Sequence, residues 1–226
     1  MSEPIRTHDV CHHYGQGTAG GSRRGLSLDH VTVDFPAGTV TALTGPNGCG
    51  KSTLLGLLAG TLRPSDGRIS GHPGNVCIVP QHSQAPDLFP VTVRDTVAMG
   101  RWQMHKGRGG LLRALRPLTR TDRHAVDRAM ERTGITDLAD RTLADLSGGQ
   151  RQRTLIAQGL AQDAPLLLLD EPLSAVDATT ADLIGRAIAE EKDAGVTVII
   201  ATHDHDQAAD AERTVALDGG RVVMAG

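Results

Sequence analysis

The sequence predicts an α/β fold: a parallel sheet covered by helices, an antiparallel β portion toward the N-terminus, and an inserted helical stretch. Three observations carry this. Short, continuously apolar runs at 39–44, 166–169 and 196–201 suit strands buried on both faces of a parallel sheet. A glycine-rich turn at 45–50 joins the first of these runs to a Leu-rich helical pattern. Residues 84–162 keep helical periodicity with no convincing strand.

In chain order, Val31-Thr32-Val33-Asp34-Phe35 alternates as a half-buried strand does, and Pro36-Ala37-Gly38 is the turn after it. A more apolar strand follows over 39–44. Residues 51–59 form a helix, closed by Gly60 and by Pro64 beyond. Val76-Cys77-Ile78-Val79 is a further short strand. The helical stretch ends near 162, and strands at 166–169 and 196–201 flank a helix over 178–193. Residues 213–217 and 221–224, joined by Asp218-Gly219-Gly220, read as a hairpin. The expected organisation is one domain over 1–226, with 1–83 and 163–226 as the core and 84–162 as an inserted helical subdomain.

Composition narrows the class. The 226 residues suffice for a well-buried core, and 39% hydrophobic with 22% charged residues is ordinary for a globular protein. A net charge of −3 gives no global pull toward nucleic acid or anionic lipid. Cys11, Cys49 and Cys77 are widely spaced and odd in number, which favours a reducing compartment over a disulfide framework. Met1 to Ile5 lacks the basic-then-apolar pattern of a signal peptide, and no run approaches the ~20 apolar residues that span a bilayer. Tyr14, Phe35, Phe89 and Trp102 are the entire aromatic complement. The core must therefore be aliphatic.

Three motifs carry chemistry. Gly45-Pro46-Asn47-Gly48-Cys49-Gly50-Lys51-Ser52 fits the phosphate-loop pattern and has the context the pattern needs, a strand before and a helix after. Its glycines let backbone N–H groups turn toward phosphate oxygens at a helix N-terminus. Lys51 supplies a cation for the β- and γ-phosphates, and Ser52 a hydroxyl ligand for Mg²⁺; Thr53 follows on the helix. Leu166 to Leu169 deliver Asp170-Glu171 to a strand's C-terminal edge, where ligands of open α/β sheets bind. Successive side chains point to opposite faces, so Asp170 suits the Mg²⁺ shell and Glu171 the attacking water as general base. Leu146-Ser147-Gly148-Gly149-Gln150 offers the Ser147 hydroxyl and the N–H groups of Gly148 and Gly149 at a second helix start.

Together these motifs resemble the nucleotide-binding subunit of ATP-binding cassette (ABC) proteins, over essentially the whole chain. The resemblance implies a phosphate-loop (RecA-like) core and ATP with Mg²⁺ as ligands. It implies that Gln81 is the residue coupling the core to the helical subdomain and joins Ser52 and Asp170 at Mg²⁺. Ser174-Ala175-Val176-Asp177 corresponds to the family's D-loop, His203 to its γ-phosphate-sensing histidine, and Tyr14 to the aromatic on which adenine stacks. The family's Leu-Ser-Gly-Gly-Gln segment, here ending in Gln150, caps the ATP held by a second copy. The implied partners are therefore that copy in a head-to-tail dimer, an integral membrane permease, and indirectly an extracytoplasmic solute-binding protein, with no nucleic acid. The implied place is the cytoplasmic face of the cell membrane, as a peripheral subunit.

Phe89-Pro90-Val91-Thr92-Val93-Arg94-Asp95 ahead of Met99-Gly100-Arg101, with Asp137 to Arg141 later, resembles the ATPases of zinc and manganese importers. Importers of siderophores, haem and cobalamin share a similar stretch, and Ala85-Pro86-Asp87-Leu88 departs from the pattern. A soluble ABC protein acting in translation or repair usually carries two cassettes or a long coiled coil, which this chain lacks.

Two further features have a plain expectation. His8, Cys11, His12 and His13 lie along one strand, whose alternation keeps them from converging on one ion. Lys106, Arg108, Arg113, Arg116, Arg120 and Arg123 are opposed only by Asp122; they form a solvated loop and helix face, or a docking patch for a partner or lipid headgroups.

Overall fold

The computed structural model describes residues 3–14, 26–81, 91–102, 117–174 and 176–226. By its internal contacts the chain divides into two units. The first comprises Met1–Ile78, Pro165–Glu171 and Glu191–Gly226, and the second Val79–Ala164 and Pro172–Glu190.

The first unit carries β1 (Ile5–His13), β2 (Leu26–Phe35), β3 (Val40–Thr44), α1 (Lys51–Leu58), β4 (Asp66–Ser70), β5 (Cys77–Val79), β6 (Leu166–Asp170), β7 (Thr197–Ala201), α6 (His205–Ala209), β8 (Arg213–Asp218) and β9 (Arg221–Ala225). Three strands form an antiparallel sheet in the order β2-β1-β4, and six form a second sheet in the order β5-β6-β7-β3-β8-β9. In the second sheet β3 runs parallel to β7 and β8, and β6 parallel to β7; the β8–β9 hairpin closes one edge. Leu166 to Leu169 and every residue of β7 are buried, as continuous apolar strands covered on both faces must be. The register places Leu168 beside Ile199 and Ala42 beside Ile200. Phe35, Leu28, Leu43, Leu54, Leu55, Leu58, Leu166 and Leu168 are the fully buried heart of this unit. Each such side chain contributes about 1.5–3 kcal/mol of transfer free energy. Helix α1 is buried at every residue except Ser52, which its all-round Leu content requires.

The second unit contains α2 (Val93–Met99), α3 (Arg120–Arg132), α4 (Gly148–Leu160) and most of α5 (Ala178–Asp193). Helix α2 packs on α3 and α4, and α3 packs on α4. Helix α3 begins with a capping box: Thr119 Oγ1 accepts from the Asp122 N–H while the Asp122 carboxylate accepts from the Thr119 N–H. Arg101 draws the helix ends together. It donates to Asp122 Oδ1 (3.0 Å), Asp163 Oδ2 (2.8 Å) and the Ala161 carbonyl (2.8 Å).

These contacts set a pH dependence. The Thr119 hydroxyl and N–H, and then Arg101, hold the Asp122 carboxyl at about 2 against its ordinary 3.8. A lowered folded-state pKa stabilises above the unfolded value and is lost as pH falls through the folded one. The gap in stability between the wild type and Asp122→Asn is therefore expected to be full above about pH 4 and to close as pH approaches about 2. Urea midpoints of both proteins across that range measure it; a pH-independent gap overturns it.

Segment 172–190 departs from the sequence expectation, which assigned it to the core. Arg132 donates to the Ala187 carbonyl (2.8 Å) and Gln152 to the Pro172 carbonyl (3.3 Å). At Gly134 an added Cβ would stand 3.3 Å from Leu183 Cδ1. Such links leave no periodicity to read. Strand β4, Asp-Gly-Arg-Ile-Ser, also escaped sequence reading, because it holds one aliphatic residue and is largely exposed. Phe89, Pro90, the segment 85–88, Ala175 and the basic residues 106–116 lie outside the described residues; Arg120 and Arg123 are exposed on α3. Among the described residues no helix is long and apolar enough to cross a membrane.

Candidate active site

Strand β3 ends at Thr44, and the next six residues curl before α1 begins. Gly45 has φ 140° and an added Cβ there would stand 2.1 Å from the Leu217 carbonyl, so only glycine fits. The N-cap of α1 is Gly50, which offers no side-chain acceptor to the helix's first N–H groups. Lys51 is buried, and its Nζ donates to the Gly45 (2.7 Å) and Pro46 (3.2 Å) carbonyls. A buried ammonium hydrogen-bonded to neutral carbonyls, beside an uncapped helix start, suits an anion. Pro46, Asn47 and Gly48 are exposed around it. Cys49 is buried and fills space against the loop: its Sγ would lie 2.8 Å from a Cβ on Gly45.

Thr53 sits one turn further in. Its Oγ1 bonds the Ser27 hydroxyl at 2.7 Å and the Tyr14 hydroxyl at 3.2 Å. The Tyr14 ring rests edge-on against His12 and is 60% exposed, so a planar ligand has access to it.

The acidic pair closes the other side. Burial pushes the Asp170 carboxyl above the usual range; a hydrogen bond from Ser52 and the charge of Lys51 oppose this, while Glu171 adds to it. A half-buried carboxylate bonded to a hydroxyl, with a second carboxylate next in sequence, is an all-oxygen donor set that fits Mg²⁺. Glu171 adopts φ 48°, a left-handed conformation that costs a bulky residue about 1–3 kcal/mol. Its N–H donates to the Ala201 carbonyl at 2.9 Å, which ties it to the end of β7. Its Oε1 lies 3.2 Å from His203 Nδ1, two residues beyond that strand. The carboxylate is nearly buried and the imidazole largely exposed.

The second unit holds the remaining motif residues. Ser147 is the N-cap of α4 and pairs with Gln150 in a reciprocal capping box: Ser147 Oγ accepts from the Gln150 N–H (3.3 Å), and Gln150 Oε1 accepts from the Ser147 N–H (3.0 Å). The Ser147 hydroxyl proton is not used by this cap and remains a donor. Ser147 and Gly148 are exposed, and nothing lies within 4 Å of a Cβ on Gly148. Asp177 accepts from the Thr180 N–H (2.8 Å) and hydroxyl (3.1 Å), and these bonds hold its carboxyl below the usual range. A Cβ on Gly149 would lie 4.0 Å from Asp177 Oδ2. Gln81 lies near the start of this unit, just after β5, and is half-buried.

The residues expected at the site thus fall into two groups. Tyr14, Gly45 to Thr53, Asp170, Glu171 and His203 belong to the first unit; Gln81, Ser147 to Gln150 and Asp177 belong to the second. Sequence reading missed Ser27, which no motif marks, and Gly220, whose N–H donates to the Cys49 carbonyl at 3.1 Å. It also missed the Ser147–Gln150 capping box, although the spacing Ser-x-x-Gln announces it.

A phosphate loop between strand and helix, beside an Asp-Glu strand end and a histidine, defines a phosphate-loop nucleotide hydrolase. The chain belongs to the ABC transporter family, whose domain matches residues 28–174, and it is an ATPase of that family. It is similar to the manganese transport system ATP-binding protein MntA of Synechocystis, 39% identical over 188 residues that cover 79% of this chain and 70% of that protein. It is likewise similar to the hemin import ATP-binding protein HmuV of Streptomyces coelicolor, 40% identical over 223 residues, 92% of this chain and 76% of that one. Among solved structures, an inward-facing ABC transporter described as of metal-chelate type superposes with TM-score 0.80 at 32% identity, covering 98% of this chain and 82% of that chain.

Proposed function

We propose that this protein is the ATP-hydrolysing subunit of an ABC importer that drives a divalent metal ion, zinc or manganese, through a partner permease at the cytoplasmic face of the membrane. The observation that carries the site assignment is the Glu171–His203 pair at the ends of neighbouring strands, in the same unit as the buried Lys51 and the Ser52–Asp170 bond.

Lys51 and the loop N–H groups hold the β- and γ-phosphates, and Tyr14 stacks on adenine. Ser52 and Asp170 would hold Mg²⁺, which when bound neutralises charge on the phosphates, and Gln81 keeps the role that the family resemblance gives it. Glu171 accepts a proton from the attacking water as that water's oxygen bonds to the γ-phosphorus and the bond to the bridging oxygen breaks. His203 donates a hydrogen bond to the γ-phosphate. Ser147, Gly148 and Gly149 present a hydroxyl proton and a helix start to the ATP of a second copy, with Asp177 beside them. ATP is then the ligand that favours a closed head-to-tail dimer, since the γ-phosphate meets both half-sites only there.

The metal cargo is supported by the stretch 89–101 and by likeness to the manganese ATPase of Synechocystis. A haem importer is the competing reading, supported by an equal likeness to the hemin ATPase of Streptomyces coelicolor. In either case a solute-binding protein delivers the cargo from outside. Co-expression with a candidate permease, followed by uptake into proteoliposomes, decides between them. ATP-dependent accumulation of zinc or manganese but not haem is the expected result; haem uptake alone, or a stable complex with ribosomes or DNA in place of a permease, overturns it.

A further inference from the structure

Two residues in the left-handed region distort the pairing of β1 with β2. They are Asp9 (φ 53°) and His30 (φ 54°), and the register slips between Thr7 and Val10 and again between Val10 and His12. The slips break the alternation that would keep polar side chains of one strand apart. Of the four residues singled out along β1, His8 instead bonds Ser70 and His12 bonds the Arg63 carbonyl. Cys11 turns to residues of the neighbouring strand. One donor atom each from Cys11, Asp29 and His30 lies within 4.8 Å of the other two.

We propose that Cys11, Asp29 and His30 form a binding site for a divalent transition-metal ion of the zinc class, with Asp9 orienting the imidazole. His30 Nδ1 lies 2.7 Å from Asp9 Oδ1, the carboxylate–histidine arrangement that fixes the tautomer of a metal-bound ring and leaves the other nitrogen as ligand. That other nitrogen, Nε2, stands 3.8 Å from Asp29 Oδ1, too far for a hydrogen bond and about half an ångström wider than two donors sharing a tetrahedral ion at about 2 Å each, a gap that a small side-chain rotation closes. Arg221 holds the opposite oxygen of Asp29, Oδ2, at 2.8 and 2.6 Å and so turns Oδ1 toward the site. The Cys11 sulfur accepts the His30 N–H at 3.3 Å, which holds it against the residue that carries the imidazole.

The donor set chooses the ion. A thiolate, an imidazole and one carboxylate suit zinc or cobalt, and disfavour magnesium, calcium or manganese, which take oxygen ligands. Cys11 and Asp29 are buried or nearly so and His30 is exposed, so the site is closed inward and leaves a fourth position to water. Stability alone gives little reason for the arrangement. Two left-handed non-glycine residues are strained, whereas an exposed Asp9–His30 pair returns little. The site lies wholly in the first unit and stands whatever cargo the transporter moves. A hydrogen-bond path, Asp29 N–H to the Gly220 carbonyl (2.8 Å) and Gly220 N–H to the Cys49 carbonyl (3.1 Å), leads from it to the phosphate loop.

The test uses the purified full chain, reduced, stripped with a chelator and kept free of nucleotide. Titration with Co²⁺ is expected to give a thiolate-to-cobalt charge-transfer band with tetrahedral visible bands, saturating at one ion per chain and displaced by Zn²⁺. Cys11→Ser should abolish the charge-transfer band. His30→Ala should weaken cobalt binding by at least about tenfold, and Asp9→Asn by about 10–100-fold without losing the band. Cys77→Ser should change nothing, since burial pushes that thiol up to about 12 and it lies in β5. Absence of the band at one equivalent, its survival in Cys11→Ser, or affinity unchanged in the surface variant His30→Ala overturns the proposal.

Discussion

Glu171→Gln is expected to leave ATP binding intact, to lower turnover by about 10²–10⁴-fold, and to accumulate an ATP-bound dimer. The local structure explains why this exchange isolates the base. The amide has the carboxylate's shape, and its oxygen can still accept from His203 Nδ1, the partner at 3.2 Å. The backbone strain at position 171 is held by the bond from its N–H to the Ala201 carbonyl, which the substitution does not touch. Lys51, Ser52 and Asp170 keep their contacts, so the phosphates are bound as before. What disappears is the group that receives the proton of water. ATP then stays in place, and the closed dimer that it favours cannot be released by hydrolysis. Lys51→Ala differs in kind, because it removes the buried cation and with it nucleotide binding. Steady-state ATPase assays, nucleotide-binding isotherms and light scattering on the two variants separate the effects. Wild-type hydrolysis by Glu171→Gln would show that another group is the base.

The elements that position this chemistry were legible in the sequence because each rests on a short-range signal. Strands β3, β6 and β7 are continuous apolar runs, helix α5 is a clean period with the same limits over Ala178–Asp193, and the phosphate loop is a spacing of glycines before Lys51-Ser52. Features that depend on long-range pairing were hidden. The meeting of Cys11 with Asp29 and His30 goes with slips in the β1–β2 register, and nothing in a run such as His-Asp-Val-Cys-His-His announces a residue with positive φ. The attachment of 172–190 to the helical unit rests on Arg132, Gln152 and the absent side chain of Gly134, none of which has a period. Glu171 shows both limits together. Its position after an apolar strand marked it as functional, whereas its strained backbone and its bond to His203 emerge only once β6 and β7 are paired.

Gly149→Asp is expected to abolish ATP hydrolysis, by more than about 10²-fold, while the isolated chain folds and binds ATP as the wild type does. A side chain fits at this position: a Cβ would lie 3.8 Å from Thr180 Oγ1 and 4.0 Å from Asp177 Oδ2, ordinary contact distances. A carboxylate in the first turn of α4 also suits the helix dipole, so the fold loses little. The same carboxylate is wrong for the proposed function. It stands beside Asp177, whose bonds from Thr180 keep it ionised, and it occupies the helix start to which the phosphates of a second copy's ATP would come. Gly149→Ala adds the Cβ without the charge and should keep most activity, which separates crowding from repulsion. Co-expressing Gly149→Asp with Glu171→Gln then tests whether the site is shared. If Ser147 to Gly149 serve the ATP of the other copy, each mixed dimer contains one site with both lesions and one with neither. Random pairing then restores about a quarter of the wild-type rate. If those residues instead serve their own chain's ATP, every site in the mixture carries a lesion and no activity returns.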